Sequence, residues 1–401
     1  MKKTLSLSAI VLFLFFAWSC QDSGKSKTPD FVSENAAFAA DQYGIQTLLI
    51  EESGKVLNPK TLRDGKIRYI SPQEWTSGFF PGSMWYLFEL TGDAKWKDLG
   101  IKYTEALDTI KYLTSHHDVG FMIGCSYGNA LRLSGNNAYK DVIIQAAKSL
   151  STRFRPAAGI IQSWNTERGW QSERGWECPV IIDNMMNLEL LFDATEYSGD
   201  SSFYHIAVSH ADKTIEHHFR PDYSCWHVID YSLTDGSVRN KHTAQGYSHE
   251  SAWSRGQAWA IYGYTLTYRK TGDLKYLEQA RKAFEFVANH PNLPEDGVPY
   301  WDFNSPDIPN TYRDASSAAI IASALYEMST YGNSEYYKGW ADKIVTSLAS
   351  PAYRANLGEN GNFILMHSVG SIPHNSEIDV PLNYADYYFL EALKRKRDLE
   401  K

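Results

Sequence analysis

The sequence predicts an all-α protein built as an (α/α)6 barrel, a closed ring of six inner and six outer helices. Three observations support this prediction. A short helix-to-helix motif recurs five times, two further segments have amphipathic helical patterns, and the spacing between motifs is irregular. A helical solenoid would repeat with a more constant period. The length of 401 residues suits one large ring better than an ordinary small domain.

The recurring motif is a glycine followed by Asp or Asn, with an aromatic residue four positions after the glycine. Glycine readily ends a helix in the left-handed conformation, and Asp or Asn can cap the start of the next helix. The aromatic ring is expected to pack the two helices together. The copies begin at Gly92, Gly135, Gly199, Gly272 and Gly332. With amphipathic helices at 33–51 and from Asn383 to about Arg397, they predict six helix pairs.

Long segments should join each outer helix to the next inner helix on one face of the ring. These segments are 53–78, 154–180, 219–251, 291–312 and 351–382. They hold much of the Trp, His and Asp content, and long loops within a compact domain are usually functional. Strand signals are few and local, such as Trp226–Tyr231. Without an interior linker, residues 32–401 are interpreted as a single catalytic domain.

The N-terminus has the pattern of an export signal. Two lysines precede a short apolar stretch, Ala9–Trp18, which is too short to span a bilayer. We interpret 1–19 as a lipoprotein signal peptide, Cys20 as the lipidated first residue of the mature protein, and 20–31 as a polar tether. A plain secretory signal cut nearby is the alternative. Both predict export; the lipid anchor predicts a membrane-bound protein at the periplasmic face or the surface of a bacterium.

Composition narrows the functional class. The net charge of −8 disfavours a nucleic-acid binder. Aromatic residues make up 14% of the chain, with 12 Trp and 26 Tyr, which suits core packing and the stacking of sugar rings. Beyond the N-terminal segment, Cys125, Cys178 and Cys225 cannot form a disulfide framework, and CxxC and HExxH patterns do not occur. We therefore expect no metal and no cofactor.

Asp183 is the strongest candidate for an acid. It stands at the predicted start of an inner helix, a position that fits an ordinary N-cap equally well. Its neighbours Ile181, Ile182, Met185 and Met186 are apolar, and a carboxyl in an apolar setting has a raised pKa. The helix dipole favours the anion by up to about 1 kcal/mol. Burial can shift a pKa by several units, so burial should prevail if the site is dry.

Two further clusters carry candidate chemistry. Asp118 follows His117 at another loop-to-helix junction, either as a partner carboxylate for Asp183 or as a capping Asp beside a surface His. Arg255 and Trp259 lie four residues apart and share a helix face. They fit a carboxylate clamp and a stacking plane; the alternative is an arginine that extends past a core tryptophan.

At these motifs the chain resembles a known family, the unsaturated glucuronyl hydrolases of glycoside hydrolase family 88. The resemblance extends from about Trp75 to Leu393, and the order and number of the matching segments make it specific. The segments are Glu74–Phe79, His117–Phe121, Ser163–Asn165, Ile182–Asn187, Arg255–Trp259 and Asp386–Glu391. The family fold, an (α/α)6 barrel, agrees with the helix count.

The resemblance implies that the substrate is an oligosaccharide left by a polysaccharide lyase. It would be derived from a glycosaminoglycan and end in a 4,5-unsaturated uronic acid. It implies hydrolysis by hydration of the double bond, with Asp183 as general acid and base and Asp118 as the second carboxylate. The implied substrate contacts are His117, Trp75, Trp164, His227, Gln245, Arg255 and Trp259, with Ser368 and Ser371 on a C-terminal loop. Ala244 stands where the family has a His, a departure that bears on the leaving sugar.

Two alternatives remain open from the sequence. An unsaturated rhamnogalacturonyl hydrolase would share the barrel and the chemistry, although the Arg255–Trp259 and His117-Asp118 segments favour the glucuronyl type. A helical lipoprotein that only binds glycans would not need a carboxyl in an apolar setting. The sequence leaves open the parent polysaccharide, the sulfation preference and the oligomeric state.

Overall fold

The computed structural model describes residues 30–401, and within this range the helices form twelve rods in two concentric rings. The α-helices are α1 (Phe31–Glu52), α2 (Phe79–Thr91), α3 (Ala94–Glu105), α4 (Val119–Ile123), α5 (Asn129–Ser134), α6 (Ala138–Ser151), α7 (Leu188–Ser198), α8 (Ser201–His218), α9 (Ser254–Thr271), α10 (Leu274–Ala288), α11 (Ala315–Met328), α12 (Ser334–Leu348) and α13 (Asn383–Leu399). A π-helical turn, Gly124–Gly128, joins α4 and α5 into one rod.

The inner ring closes in the order α2, α4–α5, α7, α9, α11, α13 and back to α2. The outer helices α1, α3, α6, α8, α10 and α12 pack against it from outside. Burial follows this division. Every residue of the inner helix α11 is buried, whereas the outer helix α10 buries only one face. The prediction of an (α/α)6 barrel is confirmed.

Four of the five predicted hairpin motifs form as expected. Gly92, Gly135, Gly199 and Gly272 are left-handed, with φ of 74°, 69°, 75° and 70°. The following Asp or Asn accepts an N–H at the start of the next helix, as Asp273 does from Lys275 at 3.1 Å. The motif aromatic is buried in each of these copies, as Trp96 is between α2 and α3.

The fifth motif joins the packed helices α11 and α12 as predicted, but its predicted turn geometry is wrong. A 3-10 turn, Ser329–Tyr331, separates the end of α11 from Gly332. Gly332 adopts φ 111°, ψ 166°, and the left-handed residue is Asn333, which makes no capping hydrogen bond. At the start of α12, Tyr336 is 39% exposed and the next residue, Tyr337, takes the buried place.

The long segments carry short antiparallel strands at one end of the barrel. The strands are β1 (Asn58–Arg63), β2 (Lys66–Ile70), β3 (Phe154–Arg155), β4 (Ile160–Ile161), β5 (Cys178–Ile181), β6 (Val228–Tyr231), β7 (Val238–His242), β8 (Ser368–Ser371) and β9 (Ser376–Val380). The predicted strand at Trp226–Tyr231 corresponds to β6, the centre of a β5-β6-β7 sheet. All six inner rods begin at this end, so the loops surround their N-termini.

The proposed signal peptide, Cys20 and most of the tether lie outside the described residues. Between residues 30 and 401, no helix has both the length and the apolar character needed to cross a bilayer.

The hairpin glycines give a direct test of the turn geometry. Gly272 has φ 70° with open space around the position of a Cβ, so Gly272→Ala should lose about 1 kcal/mol of unfolding free energy from backbone strain alone. Gly339, inside α12 and equally open, is the matched control. Since alanine favours a helix, Gly339→Ala should gain up to about 1 kcal/mol in urea denaturation. Equal effects at the two positions would contradict the left-handed turn.

Candidate active site

Two glycines allow three inner rods to meet closely at the segment that carries Asp183. A Cβ on Gly120 of α4 would lie 2.5 Å from the Asn187 Cα, and a Cβ on Gly263 of α9 would lie 2.5 Å from the Met185 Cβ. Asn187 also accepts the Phe121 N–H at 2.8 Å. These contacts fix the 3-10 turn Ile182–Asn187, which precedes α7, between its two neighbours.

The structure overturns the capping interpretation of both candidate carboxylates. Asp183 lies inside the 3-10 turn and Asp118 precedes α4, and neither start has a side-chain capping bond. A true cap in the same ring is Asp314, which accepts the Ser316 N–H at 3.0 Å. The carboxylates of Asp118 and Asp183 therefore remain available for chemistry.

Asp183 is buried in a predominantly apolar setting. It is 7% exposed, while Ile182 and Met185 beside it are fully buried. Burial raises the pKa of Asp183 to about 7, against the charge of Arg255, and the nearby Asp118 carboxylate raises it further. The Trp259 indole N–H favours the anion without completing a well-formed hydrogen bond. The Asp183 carboxyl can therefore hold a proton near neutral pH.

His227 faces the Asp183 carboxyl and has a defined tautomer. Its Nδ1 accepts the backbone N–H groups of Ala244 and Gln245 at 3.1 and 3.2 Å. Burial and the charge of Arg255 hold the pKa of His227 well below its ordinary value, so the ring is neutral and carries its proton on Nε2. Nε2 lies 3.6 Å from Asp183 Oδ2. His227 can therefore donate toward Asp183 or toward a substrate between them.

His117 has the same relation to Asp118. Asn187 presents its Nδ2 to His117 Nδ1 at 3.4 Å, and His117 Nε2 lies 3.4 Å from Asp118 Oδ1. Burial lowers the pKa of His117 to about 4, only partly offset by Asp118. Burial alone would raise the pKa of Asp118. Its interactions with His117 and His116 lower the pKa by more, so the net shift is downward. Near neutral pH, Asp118 is thus ionised, whereas Asp183, with its pKa of about 7, keeps its proton in a large fraction of the molecules.

Arg255 connects the barrel to the β8–β9 hairpin. Its guanidinium is fully buried, donates to Asp314 at 3.3 Å and to the Gly370 carbonyl at 2.7 Å, and also contacts the Val369 carbonyl. The structure therefore gives Arg255 a role in holding the hairpin over the site. Its predicted contact with a substrate carboxylate stays a prediction.

The remaining predicted residues lie around these groups. Trp75 packs against Phe121, whose ring in turn contacts Trp259, with ring centroids 5.6 and 5.1 Å apart. Trp164 lies on the other side, 6.2 Å from the His227 ring. The structure thus brings the predicted tryptophans to the same mouth as the two carboxylates.

Gln245, Ser368 and Ser371 mark the hairpin side of the mouth. Gln245 donates to the Gly370 carbonyl at 3.1 Å. Ser368 is buried with an unpartnered hydroxyl, whereas the Ser371 hydroxyl lies 2.7 Å from His374 Nδ1. All eleven residues named from the sequence therefore gather at one end of the barrel, and their individual roles stay predictions.

Several positioning residues were not predicted from the sequence. Arg153 donates to the Thr114 carbonyl at 2.6 Å and the Gln162 carbonyl at 2.7 Å, which joins the loops that precede Asp118 and Trp164. It follows an outer helix and has no recognisable motif. The only sequence signal was its place at the start of a long segment, so its partners were visible only in three dimensions.

Lys60 was missed for the same reason. It is buried and pairs with Glu74 at 2.8 Å and Glu377 at 2.7 Å. These contacts join the β1 and β9 strands beside the site, although the residues are more than 300 positions apart. The ion triad therefore supports the same hairpin that Arg255 holds.

No group of three or more His, Cys, Asp or Glu side chains arranged to hold a metal ion occurs in residues 30–401. Cys125, Cys178 and Cys225 are buried free thiols.

Comparison with known proteins agrees with this arrangement. The model of Glycosyl Hydrolase Family 88 matches residues 58–395, which include the inner rods and both carboxylates. This chain belongs to glycoside hydrolase family 88. The resemblance inferred from the sequence motifs is confirmed.

Individual family members support the assignment. An unsaturated glucuronyl hydrolase from Formosa agariphila is 44% identical over 402 residues, covering 100% of this chain and 99% of the relative. An unsaturated chondroitin disaccharide hydrolase from Streptococcus agalactiae is 34% identical over 330 residues, covering 80% and 81%. The crystal structure of an unsaturated glucuronyl hydrolase specific for heparin matches with a TM-score of 0.88 and 43% identity, covering 92% and 98%.

These matches confirm the prediction of a glycosidase of the unsaturated glucuronyl hydrolase family. They favour an enzyme over a non-catalytic glycan-binding protein, and the glucuronyl type over the rhamnogalacturonyl type.

The two carboxylates should affect stability with opposite signs as pH changes. The raised pKa of Asp183 means that folded-state stability falls as pH rises from about 4 to about 7, by up to about 4 kcal/mol. Asp183→Asn removes the free-energy penalty of ionising the buried carboxyl. In urea denaturation the variant should therefore be more stable than the wild type between about pH 5 and pH 8.

Asp118→Asn is the matched control. Because the pKa of Asp118 is lowered, its carboxylate stabilises the folded state above the unfolded pKa, and the variant should be less stable than the wild type at neutral pH. If both variants changed stability in the same direction, the opposite electrostatic environments described above would be wrong.

Proposed function

We propose that the enzyme removes a 4,5-unsaturated uronic acid from the non-reducing end of lyase-generated, glycosaminoglycan-derived oligosaccharides. The observation that carries this proposal is the buried Asp183 carboxyl, whose pKa is raised to about 7, near the Asp118 carboxylate in a family 88 barrel. The relatives named for unsaturated glucuronides and unsaturated chondroitin disaccharides support the substrate class.

The proposed reaction is hydration of the double bond. The Asp183 carboxyl gives its proton to C4, and water adds its oxygen at C5 while its proton returns to the Asp183 carboxylate. The C5 hemiketal then opens by cleavage of its bond to the ring oxygen. The C1 hemiacetal that results releases the leaving sugar. An ordinary glycosidase acid would instead protonate the leaving oxygen.

The environment of Asp183 suits this task. A general acid works best with a pKa near the working pH, and burial brings Asp183 to about 7. The ionised Asp118 opposes a second negative charge at Asp183, so it favours return of the proton after each turnover. His117 and His227 each present a neutral Nε2–H toward one carboxylate, where it can orient water or a sugar hydroxyl.

The mouth also suits an anionic sugar. The N-termini of the inner rods meet here, and their partial positive charges favour a carboxylate. Trp259 Nε1 and Ser368 Oγ are buried donors without a hydrogen-bond partner within residues 30–401. Such groups recover the cost of their burial when a substrate accepts their hydrogen bonds.

The decisive assay follows the ultraviolet absorbance of the conjugated double bond in disaccharides made by lyases from chondroitin, hyaluronan and heparin. We expect absorbance to fall with at least one of these substrates. In D2O, the first-formed product should carry one stereochemically defined deuterium at C4. Unchanged absorbance across the set would refute the proposed function.

Asp183→Asn should lower kcat by roughly 10²- to 10⁴-fold, because the amide cannot supply the proton. In the wild type, kcat/KM should fall as pH rises through about 7, where Asp183 loses its proton. Calorimetric binding of the same disaccharide by the variant provides the control, since an amide of the same shape should leave the other substrate contacts in place. Retained turnover would remove Asp183 as the acid.

We also propose that the enzyme is exported and anchored through a lipid on Cys20. This rests on the two N-terminal lysines, the apolar stretch Ala9–Trp18 and the position of Cys20 after Ser19. The polar residues that follow would let the barrel reach soluble oligosaccharides from the membrane surface, at the periplasmic face or the outside of the cell.

Cys20→Ala should move the enzyme from the membrane fraction to the soluble exported fraction. Because Cys20 precedes α1 and is not one of the residues gathered at the active site, kcat/KM per folded enzyme should not change. Cell fractionation with the absorbance assay measures both quantities. If the wild type fractionates as a soluble protein, the plain secretory signal is the correct interpretation.

A further inference from the structure

Three tryptophans form a platform at the outer edge of the site. We call Trp164, Trp170 and Trp176 the tryptophan platform. The Trp164 ring lies 5.0 Å from Trp170 and 6.0 Å from Trp176, and the latter pair are 5.9 Å apart. Trp176 is fixed by donation from its indole N–H to His242 Nδ1 at 2.9 Å. Such mutual contact gives a rigid apolar surface.

The platform continues outward from the catalytic carboxyl. Trp164 contacts the His227 ring, and His227 Nε2 faces Asp183. On the opposite side, Trp170 contacts His374 at 4.9 Å, and His374 binds the Ser371 hydroxyl of the β8–β9 hairpin. A sugar chain that leaves the catalytic carboxyl on this side must therefore pass over the platform.

Arg174 lies over the platform as a fixed cation. Its guanidinium carbon is 5.7 Å from the Trp170 ring and 5.6 Å from the Trp176 ring. Cation–π contact with two indole rings restrains the exposed guanidinium, and within residues 30–401 its side-chain N–H groups form no hydrogen bond. Within residues 30–401, Arg174 forms no ion pair, whereas Arg239 nearby is paired with Asp230 and Glu177.

The charges around Arg174 favour an anion there. The protein has a net charge of −8, so an anionic substrate needs local positive groups at the mouth. Burial and the charge of Arg174 lower the pKa of His374, and burial lowers that of His242 with Arg174 contributing. Both imidazoles are thus neutral near pH 7, and Arg174 is the permanent cation of this cluster.

We propose that Arg174 and the tryptophan platform form a binding site for an anionic group, a sulfate ester or a carboxylate, on the leaving side of the scissile bond. The partly exposed Trp164 and Trp170 rings pack against the sugar ring, with the buried Trp176 supporting them, and the free guanidinium N–H groups bind the anionic oxygens. This inference rests on the proposed function for its direction, because it places the uronate at Asp183 and the remaining sugars outward.

The test compares three unsaturated substrates with wild type and Arg174→Gln. They are an unsulfated disaccharide, the same disaccharide with a sulfate on the leaving sugar, and an unsulfated tetrasaccharide with a uronate beyond the leaving sugar. Arg174→Gln should lower kcat/KM roughly tenfold for at least one anionic substrate and leave the unsulfated disaccharide within about twofold. The affected substrate identifies whether sulfate or carboxylate is bound.

Arg168→Gln is the matched control. Arg168 is exposed in the same loop, so its loss removes the same charge, and all three substrates should keep their wild-type kcat/KM. If the two variants behave alike, the effect is general electrostatic attraction and the proposal fails. The proposal also fails if Arg174→Gln affects all three substrates equally, because Arg174 would then only order the tryptophans.

Binding separates this inference from the proposed function. Calorimetry of the same saccharides on Asp183→Asn, with and without Arg174→Gln, reports on the anion site without turnover. If no substrate is hydrolysed but the anionic saccharides bind through Arg174, the proposed function fails and the anion site stands. Equal affinity for charged and uncharged saccharides with Arg174 intact would overturn the anion site itself.

Discussion

The burial of one carboxyl governs the chemistry of this barrel. Asp183 can hold a proton near neutral pH because its carboxyl is buried among apolar side chains, and that burial depends on the close approach of α4 and α9 at Gly120 and Gly263. A side chain at either glycine would clash with the Ile182–Asn187 turn and force the rods apart. The same packing brings Asp118 close enough to oppose ionisation of Asp183.

A second constraint fixes the β8–β9 hairpin, which lies over the site. The β8–β9 hairpin is held from below by Arg255 and Gln245 and from the side by Lys60. Arg255 is itself paired with Asp314, the residue that caps α11. A buried charge network of this kind contributes more to one defined geometry than to net stability, because desolvation offsets much of the attraction. These contacts fix the position of the β8–β9 hairpin relative to the two carboxylates.

The site is also organised by charge at two depths. Deep in the barrel, Arg255 and the positive ends of the inner helices favour the ionised form of Asp183 and lower its pKa. Burial raises the pKa by more, so the net shift is upward. At the outer edge, Arg174 is an exposed cation held by indole rings. The inner groups set the protonation states required for catalysis. The outer cation is not among the groups that shift the pKa of Asp183, so it can bind a sugar without altering the acid.

The sequence by itself determined the ring of helices, the segments that form the mouth and the residues gathered there. Helix periodicity, the turn glycines and the motifs around Asp118 and Asp183 are local signals that need no knowledge of distant neighbours. The exception among the turns, Gly332, shows the limit, because a preceding 3-10 turn redirected the chain. Only the tertiary structure decided that neither carboxyl is a cap, which tautomers His117 and His227 adopt, and that Arg255, Arg153 and Lys60 join distant loops. Those properties arise from contacts between residues far apart in the chain, which no local pattern encodes.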